Sequence, residues 1–384
     1  MTVSLSNQPA AADGLRVLHI VNAFSAGGME NGVANLSNWL KRSDVQMDVC
    51  TLTKADQFVN RLHPDVKVVA LGRGDEVSIS IWRKLVKVIR AGKYDAVHTH
   101  NWTGLIYGVP SAWLCRVPVL HGEHSEMFEW EKSPRRLWLR RMFYRWCRIV
   151  HVISNDQKLQ LQHYGLTVGV DLRCMPNGTD TLKFQPGNRQ VARAALQLPG
   201  EGFFVGIVGR LVSTKRHELL LKAFEQAGQQ VPAMHLVLAG SGGAQEEDIR
   251  RLCANHPFRE RIHWLGGRDD MPTVYQSLDL LALTSVNEGM PNVVLEAMAS
   301  GVPVLANQVC GIEQIIHDGV NGRVAAMDRP ETLAAMLAAL SANALGLCAM
   351  GTRARERIVD HFSMHVMSAR YKAAYRATAN SAKT

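Results

Sequence analysis

The sequence predicts an α/β protein built from two doubly wound, Rossmann-like domains, and three observations carry the prediction. Short β-branched runs alternate with helical patterns along the whole chain, the mark of parallel strands covered by helices. The rhythm breaks near residues 180–200, in a stretch rich in Gly, Pro and Asn, and then restarts. The chain has 384 residues, more than one core normally holds, so two domains of roughly 180 residues each are expected. We place the first over residues 14–186 and the second over 187–362. A final helix, 363–384, is left free by the sequence to join the first.

The first unit reads as strand "LRVLHIVN", loop "AFSAGGME" and helix "NGVANLSNWLKR", in which Val33, Leu36, Trp39 and Leu40 share one face. Strands follow at "VQMDVCTL", "VKVVAL", "YDAVHTHN", "VPVLHG" and "RIVHVIS". The second half supplies "GFFVGIVGRL", "MHLVLAGSG", "IHWLGG", "LDLLALTS" and "VPVLAN", each followed by a helical segment. Ligands of such sheets bind beyond the carboxyl ends of the strands, and two sheets face to face would enclose a deep cleft.

Composition narrows the partners. Forty-three basic against thirty-four acidic residues leave a net charge of +9, which favours anionic ligands or surfaces. The seven cysteines are scattered, with no C-x-x-C pair, as expected of a protein kept reduced in the cytoplasm. The opening "MTVSLSNQPAAADG" lacks the basic start and apolar core of a secretion signal and reads as a loose tail. No stretch of about 18 uncharged apolar residues occurs.

Five constellations carry chemistry. In "VGRLVSTKRHELLL", Gly209 ends a strand, and Arg210 and Lys215 flank the loop beyond it, a planar fork and a point charge suited to a diphosphate. In "NEGMPNVVLEAMASG", Pro291 opens a nearly all-apolar helix at its first position and Gly301 closes it. The amides of Asn292 and Val293 make the front end an anion site. Glu296, one turn further in, is an acceptor matched to vicinal ribose hydroxyls, and Glu288 in the preceding loop can reach a sugar hydroxyl. In "SAGGME", Gly27 and Gly28 let backbone approach a phosphate. "HTH" and "HGEH" bring His98, His100, His121, His124 and Glu123 to two strand ends. Their spacing fits no recognised zinc motif, and sugar binding or proton transfer is the better reading. Finally, "KSPRRLWLRRMFYRWCRI" holds seven basic residues and no acidic one among aromatics. Arg135, Arg136, Trp138, Arg140 and Arg141 are the expected contacts of a helix lying on an anionic membrane surface. No recognised nucleic-acid motif accompanies them.

Gly-Gly after the first strand, "NGTDTLKF", "VGRL…K" and the Glu-x7-Glu run "EGMPNVVLE", in this order, resemble the family-4 retaining glycosyltransferases of the GT-B fold. "GIEQIIHDGVNG" resembles that family's next loop and turn, and "HGEHSEM" its exopolysaccharide-assembly members. The resemblance implies that Arg210 and Lys215 neutralise the donor diphosphate, Glu296 holds the nucleotide ribose and Glu288 orients the transferred sugar. It further implies that the Asn292 and Val293 backbone and Gly28 approach the phosphates. His124, with His121 as the competing alignment, would face the reacting sugar. His100 and His121 are the remaining acceptor-side residues. The implied substrates are a nucleotide sugar, with UDP or GDP favoured, and a saccharide or polyprenyl-linked acceptor. No cofactor or metal is expected, since no D-x-D triplet occurs. The implied location is cytoplasmic, with a peripheral contact on the inner face of the membrane.

Three rivals compete. A sugar-nucleotide epimerase on the same fold would need no acceptor. A nicotinamide oxidoreductase would use "LAGSGGAQ" (Gly240, Gly242, Gly243), which lacks the third glycine of G-x-G-x-x-G. A lipid-surface binding module would use the basic helix alone and leave the phosphate constellation unexplained.

Overall fold

The computed structural model describes residues 14–380, apart from residues 26, 42, 75 and 77. The tail expected before residue 14 and positions 381–384 of the expected last helix lie outside the described residues. The chain forms two compact units. Among the described residues, unit 1 holds those up to Val152, Lys158–Met175 and those from Ser368 onward; unit 2 holds Ile153–Gln157 and Pro176–Met367.

Unit 1 is a parallel sheet of seven strands: β1 (Leu15–Val21), β2 (Val45–Thr51), β3 (Val68–Ala70), β4 (Ala96–His100), β5 (Val119–Glu123), β6 (Ile149–Val152) and β7 (Leu172–Cys174). Their order is β3-β2-β1-β4-β5-β6-β7, so the winding reverses between β1 and β4. Unit 2 has β8 (Phe203–Val208), β9 (Met234–Ala239), β10 (Ile262–Gly266), β11 (Leu280–Leu283), β12 (Val304–Asn307) and β13 (Arg323–Ala325). These are also parallel, in the order β10-β9-β8-β11-β12-β13, reversing between β8 and β11. In doubly wound sheets, ligands bind beyond the carboxyl ends of the strands at such a reversal.

Strand alternation builds the cores. On β8, Phe204 faces one apolar layer while Val205 and Ile207 face the other. The helix Asn292–Ala299 buries Val294, Leu295 and Met298 completely in the first layer. Each such side chain contributes about 1.5–3 kcal/mol, which seats the helix firmly over β11 and β12.

Two edge strands, β7 and β13, span three residues each and carry no readable pattern. The passage between units also differs from the expected border after residue 186, lying instead at Met175–Pro176. The reason is packing. Asn177 donates to the Met290 carbonyl at 3.3 Å, the Thr179 amide donates to the Phe362 carbonyl, and Phe184 sits in the unit 2 core. The last helix runs Met364–Asn380, and its part from Ser368 onward belongs to unit 1, where Lys372 and Arg376 pair with Asp44.

Candidate active site

At the reversal of unit 2, β8 and β11 deliver the residues that the sequence singled out. Beyond β8 the chain turns at Gly209, whose φ of +148° favours glycine, and Arg210 emerges exposed. Its side chain makes no hydrogen bond or ion pair among the described residues. Lys215 closes a short 3-10 turn, Ser213–Lys215, tied to the loop after β11. The Val286 amide donates to the Thr214 carbonyl at 2.9 Å, and the Thr284 hydroxyl to the Lys215 carbonyl at 2.6 Å. Lys215 and Glu288, assigned separately from sequence to phosphate and sugar, form one ion pair, Nζ to Oε1 at 2.5 Å. An ammonium has three donors, so the pair fixes both side chains and leaves donors for a ligand.

Glu296 is half-buried, not a charge spread on the surface. Its Oε2 accepts from the hydroxyl of fully buried Tyr275 at 2.7 Å. Burial and the neighbouring carboxylate push the Tyr275 phenol well above its usual value, so it stays a donor. Pro291 occupies the position before the helix, not its first helical position, and Asn292 and Val293 begin it. Amides of a first turn have no acceptor within their own helix and aim at what lies beyond the sheet. Asn177, in "NGTDTLKF", donates to the Asn292 side-chain oxygen at 3.2 Å. Sequence reading missed both supports, Tyr275 and Asn177; only the chain's return across the sheet brings them here.

The glycine-rich loop after β9 has another task. A side chain on Gly240 would run into the Gly209 carbonyl, and one on Gly243 into the Leu211 carbonyl. The helix that follows, Glu246–Ala254, opens with Glu246, Glu247 and Asp248, and Glu246 accepts from the Gly242 amide at 2.5 Å. Acid already fills the end where a dinucleotide's pyrophosphate would sit, which argues against the nicotinamide reading.

In unit 1 the reversal lies at β1 and β4. Gly28 begins the helix Gly28–Leu40 and is exposed, but a side chain on Gly27 would strike the Glu30 carboxylate, so an arriving anion meets an acid there. His100 and His121 are buried, which corrects their expected place as ligand-facing residues. His121 is hydrogen-bonded to Thr99 at 2.8 Å and Glu123 at 3.2 Å; His100 to His19 at 2.9 Å and His124 at 2.8 Å. His124 is half-buried, and its amide donates at 2.9 Å to the side chain of Asn101, which adopts the left-handed φ of +54°. Burial lowers the His124 pKa to about 4. His19 and His151, which sequence reading did not pick out, join the same group.

The basic helix, Pro134–Tyr144, needs one correction. Arg140 is fully buried, paired with Glu123 and, at 2.6 Å, with Glu131, and stacked 5.1 Å from Trp102. Burial works against the charge on Glu123, yet Arg140, His121 and the Tyr144 hydroxyl hold its carboxyl down to about 2. Arg140 is an internal counter-ion and touches no surface. Arg135, Trp138 and Arg141 are exposed; Arg136 lies over Trp130 at 4.3 Å.

Two doubly wound parallel sheets, each with a reversal of strand order, have the architecture of nucleotide-binding folds. Two family models match nearly end to end, "Glycosyltransferase Family 4" over residues 26–182 and "Glycosyl transferases group 1" over 188–357. The chain belongs to the family-4 glycosyltransferases. The D-inositol 3-phosphate glycosyltransferase of Mycolicibacterium gilvum is 29% identical over 81% of this chain and 76% of its own. That of Mycobacterium marinum is 28% identical over 91% and 81%. Among solved structures, Anabaena Alr3699/HepE in complex with UDP has a TM-score of 0.82 at 20% identity, covering 94% of this chain and 100% of its own. A glycosyltransferase of Rickettsia africae reaches 0.81 at 16% identity, covering 95% and 98%. These likenesses show the GT-B fold. Glycosyltransferases of this kind use nucleotide-sugar donors, and membership decides against the epimerase. No single helix among the described residues is long and apolar enough to cross a membrane.

Proposed function

We propose that the protein is a retaining, metal-independent hexosyltransferase. It moves a sugar from UDP- or GDP-hexose to a hydroxyl of a saccharide or polyprenyl-linked acceptor, in polysaccharide or glycolipid assembly. The observation that carries this reading is Glu296, a single carboxylate held by Tyr275 in an otherwise apolar helix. Its acceptor oxygens suit the ribose diol, while the helix front beside it, Arg210 and Lys215 suit the diphosphate.

The chemistry follows. The bond from the sugar's anomeric carbon to the β-phosphate oxygen breaks, and its electron pair stays on that oxygen. Arg210, Lys215 and the first-turn amides stabilise the charge as it grows, the largest lever available to such a site. The acceptor hydroxyl attacks the face being vacated and passes its proton to the departing phosphate, so configuration is retained and no covalent nucleophile is needed. Glu288, fixed by Lys215, orients the sugar. We assign the acceptor-side chemistry to unit 1, at the ends of β4 and β5, where His124 is half-buried. Exposed Phe128, Trp130 and Trp138 beside Arg135, Arg136 and Arg141 support a peripheral contact with anionic lipid.

A thermal-shift screen of UDP-, GDP-, ADP- and TDP-hexoses in EDTA tests this, since a ligand of the folded state raises its melting temperature. The expected result is a shift with UDP- or GDP-hexose that Glu296→Ala removes. No shift with any of them would overturn the proposal.

A further inference from the structure

Five histidines and one tyrosine of unit 1 form an unbroken hydrogen-bonded chain. It runs His151 to His98 (3.0 Å), His98 to the Tyr375 hydroxyl (3.0 Å), Tyr375 to His19 (3.1 Å), His19 to His100 (2.9 Å) and His100 to His124 (2.8 Å). Strand register makes this possible. His19 lies opposite His98, and His100 opposite Gly122, which is itself opposite His151. A side chain on Gly122 would collide with the rings of His151 and His124, so the glycine leaves room for both. Tyr375 comes down from the last helix.

The proton count is restrictive. A neutral imidazole has one N–H and one lone pair, and a phenol donates once. Each inner member uses both ring nitrogens, or the one hydroxyl, within the chain. Fixing the proton on any member therefore fixes all six, and only two arrangements exist, of opposite direction. Exchanging them requires a proton to enter or leave at His151 Nδ1, which is buried. The far end is closed.

We propose that this chain is a tautomer lock: His151, His98, Tyr375, His19 and His100 are positioning residues that hold His124 neutral, with its outward nitrogen fixed in one hydrogen-bonding role. A net proton on the chain would be a buried imidazolium, and burial lowers all five histidines below their ordinary value. The other titratable groups facing the chain are Glu123 and His121 beside His124, and Tyr371 beside His151. The lock thus supplies direction without storing charge. Its use in catalysis rests on the proposed acceptor-side role of His124; the lock itself does not.

The test is ring-15N histidine NMR on the full chain without substrate, with His124 assigned through His124→Gln. The lock predicts one pure His124 tautomer, unchanged between pH 7.5 and 6. In Tyr375→Phe, which removes one oxygen and cuts the chain, His124 becomes a mixture of tautomers. His98→Gln, cutting the chain one step further on, must give the same mixture if the phenylalanine variant folds poorly. Averaged shifts in the wild type, an ordinary titration near pH 6.5, or a pure tautomer surviving both cuts would overturn the proposal. So would one equivalent of tightly bound metal on His19, His98 and His100, whose nitrogens lie within 4.8 Å of one another. Kinetics separate the two readings. If Tyr375→Phe mixes the tautomers and lowers kcat 3- to 10-fold with donor KM unchanged, both stand. If the tautomers mix and kcat is unmoved, the lock stands and the catalytic role of His124 falls.

Discussion

Mild acid is expected to destabilise unit 1, and the size of the effect follows from four rings. His19, His98, His100 and His151 are at most 2% exposed. Burial first, then mutual repulsion, lowers their pKa, to about 3 for His19 and well below the ordinary 6.5 for the others. In the unfolded chain each titrates near 6.5. A group whose folded pKa is depressed binds more protons when unfolded, so stability is complete above pH 6.5 and is lost as pH falls below it. Between pH 7.5 and 5.5 each ring costs about 1.4 kcal/mol, and four cost about 5 kcal/mol, comparable with the whole stability of many domains. Glu123, held near 2, loses its contribution only below the ordinary carboxylate range and does not contribute in this window. The assay is urea unfolding followed by tryptophan fluorescence, because every tryptophan except Trp264 lies in unit 1. A loss below about 1 kcal/mol would mean that the rings are charged or hydrated in the folded state, and the buried chain would be refuted.

Three further outcomes are expected. Removing Arg210 and Lys215 together, as methionines, should lower kcat/KM by about 10²–10⁴ with the fold intact; a loss under threefold would remove them from the leaving-group site. Arg140→Met should destabilise unit 1 by about 3–5 kcal/mol, because Glu123 and Glu131 would be left buried without their counter-ion; unchanged urea midpoints would contradict the burial. Replacing Arg135, Arg136 and Arg141 by glutamine should weaken binding to anionic vesicles, which should also fade with salt, whereas equal binding to neutral vesicles would exclude an electrostatic contact.

The strands that cross the middle of each sheet were legible because their apolar runs are long and punctuated. The strands β7 and β13 were not: Leu172–Cys174 and Arg323–Ala325 hold no β-branched run, whereas β3, equally short and also at an edge, sits within the apolar run "VKVVAL". The proposed donor constellation could be assembled from the sequence for a local reason: Arg210, Lys215 and Glu288 lie in the loops after β8 and β11, and Glu296 in the helix that follows, so sequence position already implies the carboxyl edge. What holds them could not be. Tyr275 and Asn177 reach Glu296 and Asn292 only through tertiary packing. The imidazole chain was half visible, as "HTH" and "HGEH". His19 and His151 lie inside apolar strands, and only the strand order brings them into line. Tyr375 arrives from 277 positions away from His98. Arg140 shows the opposite failure. A basic run displays its charge in the sequence, while the two acids that enclose one of its members come from a strand end and a turn.

The proposed donor site holds a nucleotide diphosphate without a divalent ion, with Glu296 on the ribose. Calorimetric titration of UDP into the protein in EDTA, with wild type, Glu296→Ala and Glu296→Gln compared at matched thermal stability, tests it most directly. The expected result is binding that EDTA leaves unchanged and that either substitution weakens at least tenfold, about 1.4 kcal/mol. Equal affinity in all three proteins, or binding that appears only when magnesium or manganese is restored, would contradict it.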